Sequence, residues 1–156
     1  MLMSNQFSWK TKFKSIIIVD GELFPNEYDL NVFISAHTPD LKEQSDYFER
    51  LKNLFERVFT NTITTWRDEP LYPVLKKQTN NRFIQLPRPP YDQLMAAVCF
   101  TKANAVLKGK IIINELELSS YQGDGITYRI VKEGDVFSIG EEIFSKEQII
   151  KKIDAS

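Results

Sequence analysis

The sequence predicts an α+β fold: a mainly antiparallel sheet with two principal helices packed on one face and a short C-terminal helix. Three observations carry this. Apolar and polar residues alternate near the N-terminus, two later segments repeat their apolar residues at helical spacing, and turn dipeptides separate runs of β-branched residues in the last third. Residues 1–156 read as one domain with a proline-rich connector at 70–90. Such a length buries about two-thirds of the unfolded surface, and 11 Phe and 2 Trp supply the core with large side chains.

Phe7, Trp9 and Phe13 alternate with Ser8, Lys10, Lys12 and Lys14, the pattern of a half-buried edge strand guarded by lysines. The same residues would also form an aromatic and basic stripe of the kind that binds single-stranded nucleic acid. Ser15 to Val19 continues to Asp20-Gly21, suited to a turn with positive φ. Pro25-Asn26 reads as a break before the next strand, Leu30 to Ser35.

Thr38-Pro39-Asp40 opens a helix with Thr38 as its cap. Leu41, Phe48, Leu51, Phe55 and Val58 mark its apolar face, and Asp46–Arg50 and Lys52–Glu56 pair four apart on the wet side. Thr60 to Trp66 is rich in β-branched residues and reads as a strand. Between Pro70 and Pro90 lie five of the seven prolines, with no acidic residue from Leu71 to Tyr91. Proline fixes φ and removes donors, so this connector is expected to be extended, with one short strand at Arg82 to Leu86.

Pro90 opens a second helix, Tyr91 to Lys108, stopped by Gly109. It is apolar around most of its circumference from Leu94 to Phe100, which places it centrally in the core. Ile111 to Leu118 and Ile126 to Val131 flank Gln122-Gly123-Asp124-Gly125 as a hairpin, and a shorter hairpin turns near Gly140. Ser145 and Gln148 have capping-box spacing and start the terminal helix.

The segment Asp29-Leu30-Asn31-Val32-Phe33-Ile34-Ser35, followed by a charged helix and Thr65-Trp66-Arg67-Asp68, resembles the opening of a TIR domain. That resemblance implies a flavodoxin-like parallel sheet and an NAD-cleaving or signalling role. The chain departs from the pattern where strands precede this segment and where the connector replaces the next parallel strands.

A formal net charge of −1 provides no global attraction to nucleic acid or anionic membranes, and double-stranded nucleic acid is not an expected partner. Cys99 has no partner for a disulfide, and the N-terminal residues lack a signal-peptide run, so a cytoplasmic location is expected. One His and one Cys cannot build a zinc cluster, and HExxH, CxxC, P-loop and GxSxG motifs are missing. No metal or cofactor is therefore expected. His37 reads as a loop residue, Cys99 as core filling, Glu115 and Glu117 as a solvent face, and Gly123 and Gly125 as turn formers. No catalytic residue is assigned.

The reading that follows is a non-enzymatic intracellular binding or regulatory module of the inhibitor or immunity-protein type. Its partner would be a protein with an acidic surface, met by Trp66, Tyr72, Lys76, Lys77, Arg82 and Arg88 from the connector. The alternative is an enzyme or sensor for a nucleotide or other phosphorylated small molecule, with Lys76, Lys77, Arg82 and Arg88 as phosphate clamps.

Overall fold

Asp20 and Gly21 adopt positive φ, 52° and 77°, and this two-residue turn folds the N-terminal third into one long hairpin. The computed structural model describes residues 5–78, 80–132, 136–139 and 142–145. Strands β1 (Asn5–Val19) and β2 (Glu22–Ala36) pair antiparallel along their full length. Pro25 does not break β2. It pairs with Ile16 in a stretch where β2 has no second neighbour, since pairing on its other side begins at Tyr28. A missing N–H is tolerated on such a one-sided segment.

Helix α1 (Leu41–Asn53) is capped by Asp40 rather than Thr38. Asp40 Oδ1 accepts from the backbone N–H groups of Lys42 and Glu43 at 3.0 and 3.3 Å, while Thr38 Oγ1 accepts from the Asp40 N–H. The helix ends in a π-helical turn, Leu54–Val58, and β3 (Thr62–Trp66) follows. The connector is less extended than expected, because α2 (Tyr72–Gln78) forms inside it before β4 (Phe83–Leu86). Pro73 lies in the first helical turn, where its missing N–H costs no hydrogen bond, and 74–78 contain no helix breaker. Helix α3 (Asp92–Leu107) runs to Lys108 and Gly109, both at positive φ. Strands β5 (Ile111–Ser120) and β6 (Tyr128–Val131) complete the main sheet, and β7 (Val136–Ile139) pairs with β8 (Glu142–Ser145) as a separate hairpin. The expected terminal helix lies outside the described residues.

The six strands stand in the order β4-β3-β1-β2-β5-β6. The sheet is mixed: β1 with β3 and β3 with β4 are parallel, and the other pairs are antiparallel. The α+β class holds. Residues 29–35 sit in a strand flanked by antiparallel neighbours, so the flavodoxin-like sheet implied by the TIR resemblance is not formed.

Helices α1 and α3 cover one face. Phe13, Tyr28, Leu30, Val32, Ile34, Leu116 and Leu118 point into it, and every residue of α3 from Leu94 to Phe100 is buried there. The rings of Phe13, Tyr28, Phe55 and Phe59 lie 5.0 to 6.0 Å apart in successive contacts. Each such pair contributes about 0.5–1.5 kcal/mol beyond area burial. Trp9 also packs on Phe48, at 5.2 Å. The aromatic side chains of β1 thus face the helices while its lysines occupy the opposite face. Helix α2 packs on that opposite face, where Tyr72 meets Phe83 edge-on at 5.1 Å. No helix among the described residues is long and apolar enough to cross a membrane.

Candidate functional site

The connector residues do not share one face. Trp66 is half-buried against the main core, paired in register with Leu86. Tyr72 is buried on the other side of the sheet, with Lys76 Nζ 5.6 Å from its ring centroid, and Lys77 is exposed on the same short helix. Arg82 donates to the carbonyl oxygens of Arg57 and Thr60, tying the start of β4 to the end of the π-helical turn. Arg88 is exposed and already engaged. Only Tyr72, Lys76 and Lys77 form a local group.

A different set of residues does converge. Asn26 and Tyr28 occupy inward positions of β2, with Ser15 beside Asn26 on β1 and Ser120 beside Tyr28 on β5. Above them is the first turn of α3, which carries Asp92. The Ser120 hydroxyl lies 2.9 and 2.7 Å from the two carboxylate oxygens of Asp92. Asn26 Oδ1 accepts from the backbone N–H groups of Glu27 and Gln122, each at 3.0 Å. Ser15 Oγ meets the hydroxyls of Thr62 and Thr64 at 2.9 and 2.6 Å.

Two groups in this buried cluster, Asn26 Nδ2 and the Tyr28 hydroxyl, make no well-formed hydrogen bond, although the phenol lies within interaction range of the Asn26 side chain and the Thr64 hydroxyl. Tyr28 is 0% exposed and Asn26 6%. A buried polar group without a well-formed hydrogen bond costs up to about 1–3 kcal/mol, so a fold that retains two of them side by side invites a functional account.

The electrostatics follow from burial. Desolvation raises the pKa of Asp92, and the Ser120 hydroxyl offsets part of the rise by stabilising the carboxylate. Burial, with the Asp92 charge adding to it, pushes the Tyr28 phenol far above its ordinary value against a smaller downward pull from the Asn26 and Thr64 side chains, so it stays a neutral donor. Cys99 is fully buried and its thiol is likewise pushed up by desolvation, which keeps it unreactive. Gly123 lets the turn approach Asp92 closely: a Cβ there would meet Asp92 Oδ2 at 2.2 Å and Ser120 Oγ at 3.1 Å, so any side chain would displace the carboxylate. The result is a carboxyl acceptor, an amide donor and a phenolic donor held near one another on rigid elements. That combination suits the hydrogen-bonding edge of a small polar ring. No group of three or more His, Cys, Asp or Glu able to hold a metal occurs among the described residues.

Sequence reading passes over these residues because each has an ordinary local role: Asn26 beside a proline between strands, Asp92 as a first-turn helix charge, Ser120 just past the strand expected at Ile111 to Leu118. The available signal was parity. Ser15, Asn26 and Ser120 are polar residues at positions where the alternation of their strands demands apolar ones.

No family model and no curated protein matches this chain. Solved structures do. An uncharacterized protein of Wolinella succinogenes superposes with a TM-score of 0.58 at 10% identity, over 85% of this chain and 100% of that one. The 6-pyruvoyltetrahydropterin synthase of Plasmodium vivax gives 0.50 at 7% identity, over 85% and 99%. The Plasmodium falciparum enzyme of the same name gives 0.50 at 12%, over 84% and 99%. At these identities the likeness is one of fold.

Proposed function

We propose that this protein is a small-ligand-binding module, and that its ligand is a flat, nitrogen-rich heterocycle gripped by Asp92, Asn26 and Tyr28. The observation that carries this is a pair of buried donors, Asn26 Nδ2 and the Tyr28 hydroxyl, that make no well-formed hydrogen bond and meet only each other and Thr64, beside the half-buried Asp92 carboxyl. A pterin is the first candidate, because proteins of similar fold are named for synthesis of a pterin. Purine nucleosides present a similar edge and are the second. This keeps the binding-module reading but moves its centre from the connector to the interior of the sheet.

The experiment is a calorimetric titration of the full chain with pterin, guanosine and adenosine. Saturable binding of at least one ring, weakened at least about tenfold by Asp92→Asn or Asn26→Ala, is expected, since a charged hydrogen bond contributes about 1.5–3 kcal/mol. No binding of any of the three, or equal binding by the variants, would refute the assignment.

One observation favours a second reading, recognition of an acidic protein by α2. Val74 is 46% exposed there beside exposed Lys76 and Lys77. Lys76→Glu/Lys77→Glu would abolish such capture without touching ring binding, and capture that survives the double variant would sink it.

A further inference from the structure

A second recess opens where β1 and β2 meet the turns that lead into β3 and β4. It encloses about 330 Å³, at the small end of the range for ligand sites. Its walls include Lys14, Ile16, Pro25, Asn61, Ile63 and Asn81. The chemistry of this lining is one-sided. It holds one cation, the Lys14 ammonium, and no carboxylate.

Lys14 stands across from Glu27 in the β1–β2 register, but the Glu27 carboxylate is 3.7 Å from Lys12 Nζ, and Lys14 makes no ion pair among the described residues. Asn61 and Asn81, exposed to solvent like Lys14, likewise make no side-chain hydrogen bond to protein among the described residues, so their carboxamides are open to a ligand entering from solvent. Asn61 is held in place by its backbone: its N–H donates to the Lys14 carbonyl at 2.7 Å, and its φ of 56° is one that Asn adopts more readily than most residues. The hydroxyls of Ser15 and Thr62, also in the lining, are engaged with one another. Asn26 belongs to this lining too, so the recess adjoins the Asp92 cluster while its charged group is a different one.

We propose that this recess is an oxyanion site, receiving the phosphate or carboxylate group of a small amphipathic ligand. Lys14 supplies the charge, and Asn61 and Asn81 supply neutral N–H donors. Ile16, Pro25 and Ile63 form an apolar wall for the carbon portion. Anion recognition thereby passes from Arg82, which is occupied by backbone carbonyls, to Lys14. The assignment does not depend on a ring binding at Asp92.

The test is a titration of the ¹⁵N-labelled full chain with inorganic phosphate and, separately, with acetate, at constant ionic strength, following the side-chain NH₂ resonances. Saturable shifts at Asn61 and Asn81 are expected with at least one of the two. Saturation by phosphate alone assigns a phosphate ester, by acetate alone a carboxylate, and by both the shared oxyanion chemistry. Lys14→Ala should raise the apparent Kd at least about tenfold, Lys14→Arg should retain binding, and Asp92→Asn should leave it unchanged, which separates this site from the ring site. Shifts that fail to saturate with either anion, or that persist equally in Lys14→Ala, would overturn it as non-specific ionic contact.

Discussion

Tyr28 keeps a phenolic hydroxyl at 0% exposure with contacts to Asn26 and Thr64 but no well-formed hydrogen bond, and on this account the fold tolerates that cost because a ligand meets the group. Tyr28→Phe should therefore leave stability unchanged or raise it by about 1 kcal/mol in urea unfolding, while weakening ring binding. A loss of several kcal/mol would show that the hydroxyl is already satisfied. Asp92 makes a second prediction through pH. Its pKa is raised by burial, so the native state holds this proton more tightly than the unfolded chain. The contribution is fully present below the ordinary carboxylate value and is lost as pH rises through the raised native value. Asp92→Asn should flatten that limb of the stability profile, and an unaltered limb would place the responsible group elsewhere.

Elements show what a sequence can and cannot disclose. The Asp20-Gly21 turn, the buried character of Leu94 to Phe100 and the Gly123-Gly125 hairpin were legible because each depends on local backbone chemistry or on all-round hydrophobicity. Helix α2 was not, since proline density masked a seven-residue run whose only proline sits in its first turn. Nor was the π-helical turn at Leu54–Val58, which keeps the α1 apolar face and gives no separate pattern. Arg82 carries a contact that the sequence does not announce. As a surface recognition residue its loss would hardly affect stability, but its guanidinium holds the carbonyls of Arg57 and Thr60. Arg82→Ala should cost about 1 kcal/mol, the exposure of the site keeping the value modest, with Arg82→Lys recovering only part. Identical melts for wild type and Arg82→Ala would return Arg82 to the surface role.

At the scale of the whole molecule, the α+β class followed from strand alternation and two helical segments, whereas the strand order did not. The parallel pairing of β1 with β3 joins residues 47 apart in sequence, Ser15 with Thr62, and nothing local specifies it. The candidate site escaped for the same reason. Asn26, Asp92 and Ser120 come from β2, α3 and β5 and acquire a joint meaning only once the sheet is assembled. Neither EDTA nor dithiothreitol should shift the melting temperature, because Cys99 is the chain's sole cysteine; a shift of many degrees would reveal a missed metal or an intermolecular disulfide.

The most direct measurement of the central claim is a crystal structure of the full chain grown with pterin. The account predicts ring density within hydrogen-bond distance of the Asp92 carboxylate and Asn26 Nδ2, with the Ser120 hydroxyl still on Asp92. Density for the ring at any other place, with Asn26 Nδ2 and the Tyr28 hydroxyl bonded only to protein groups, would contradict it.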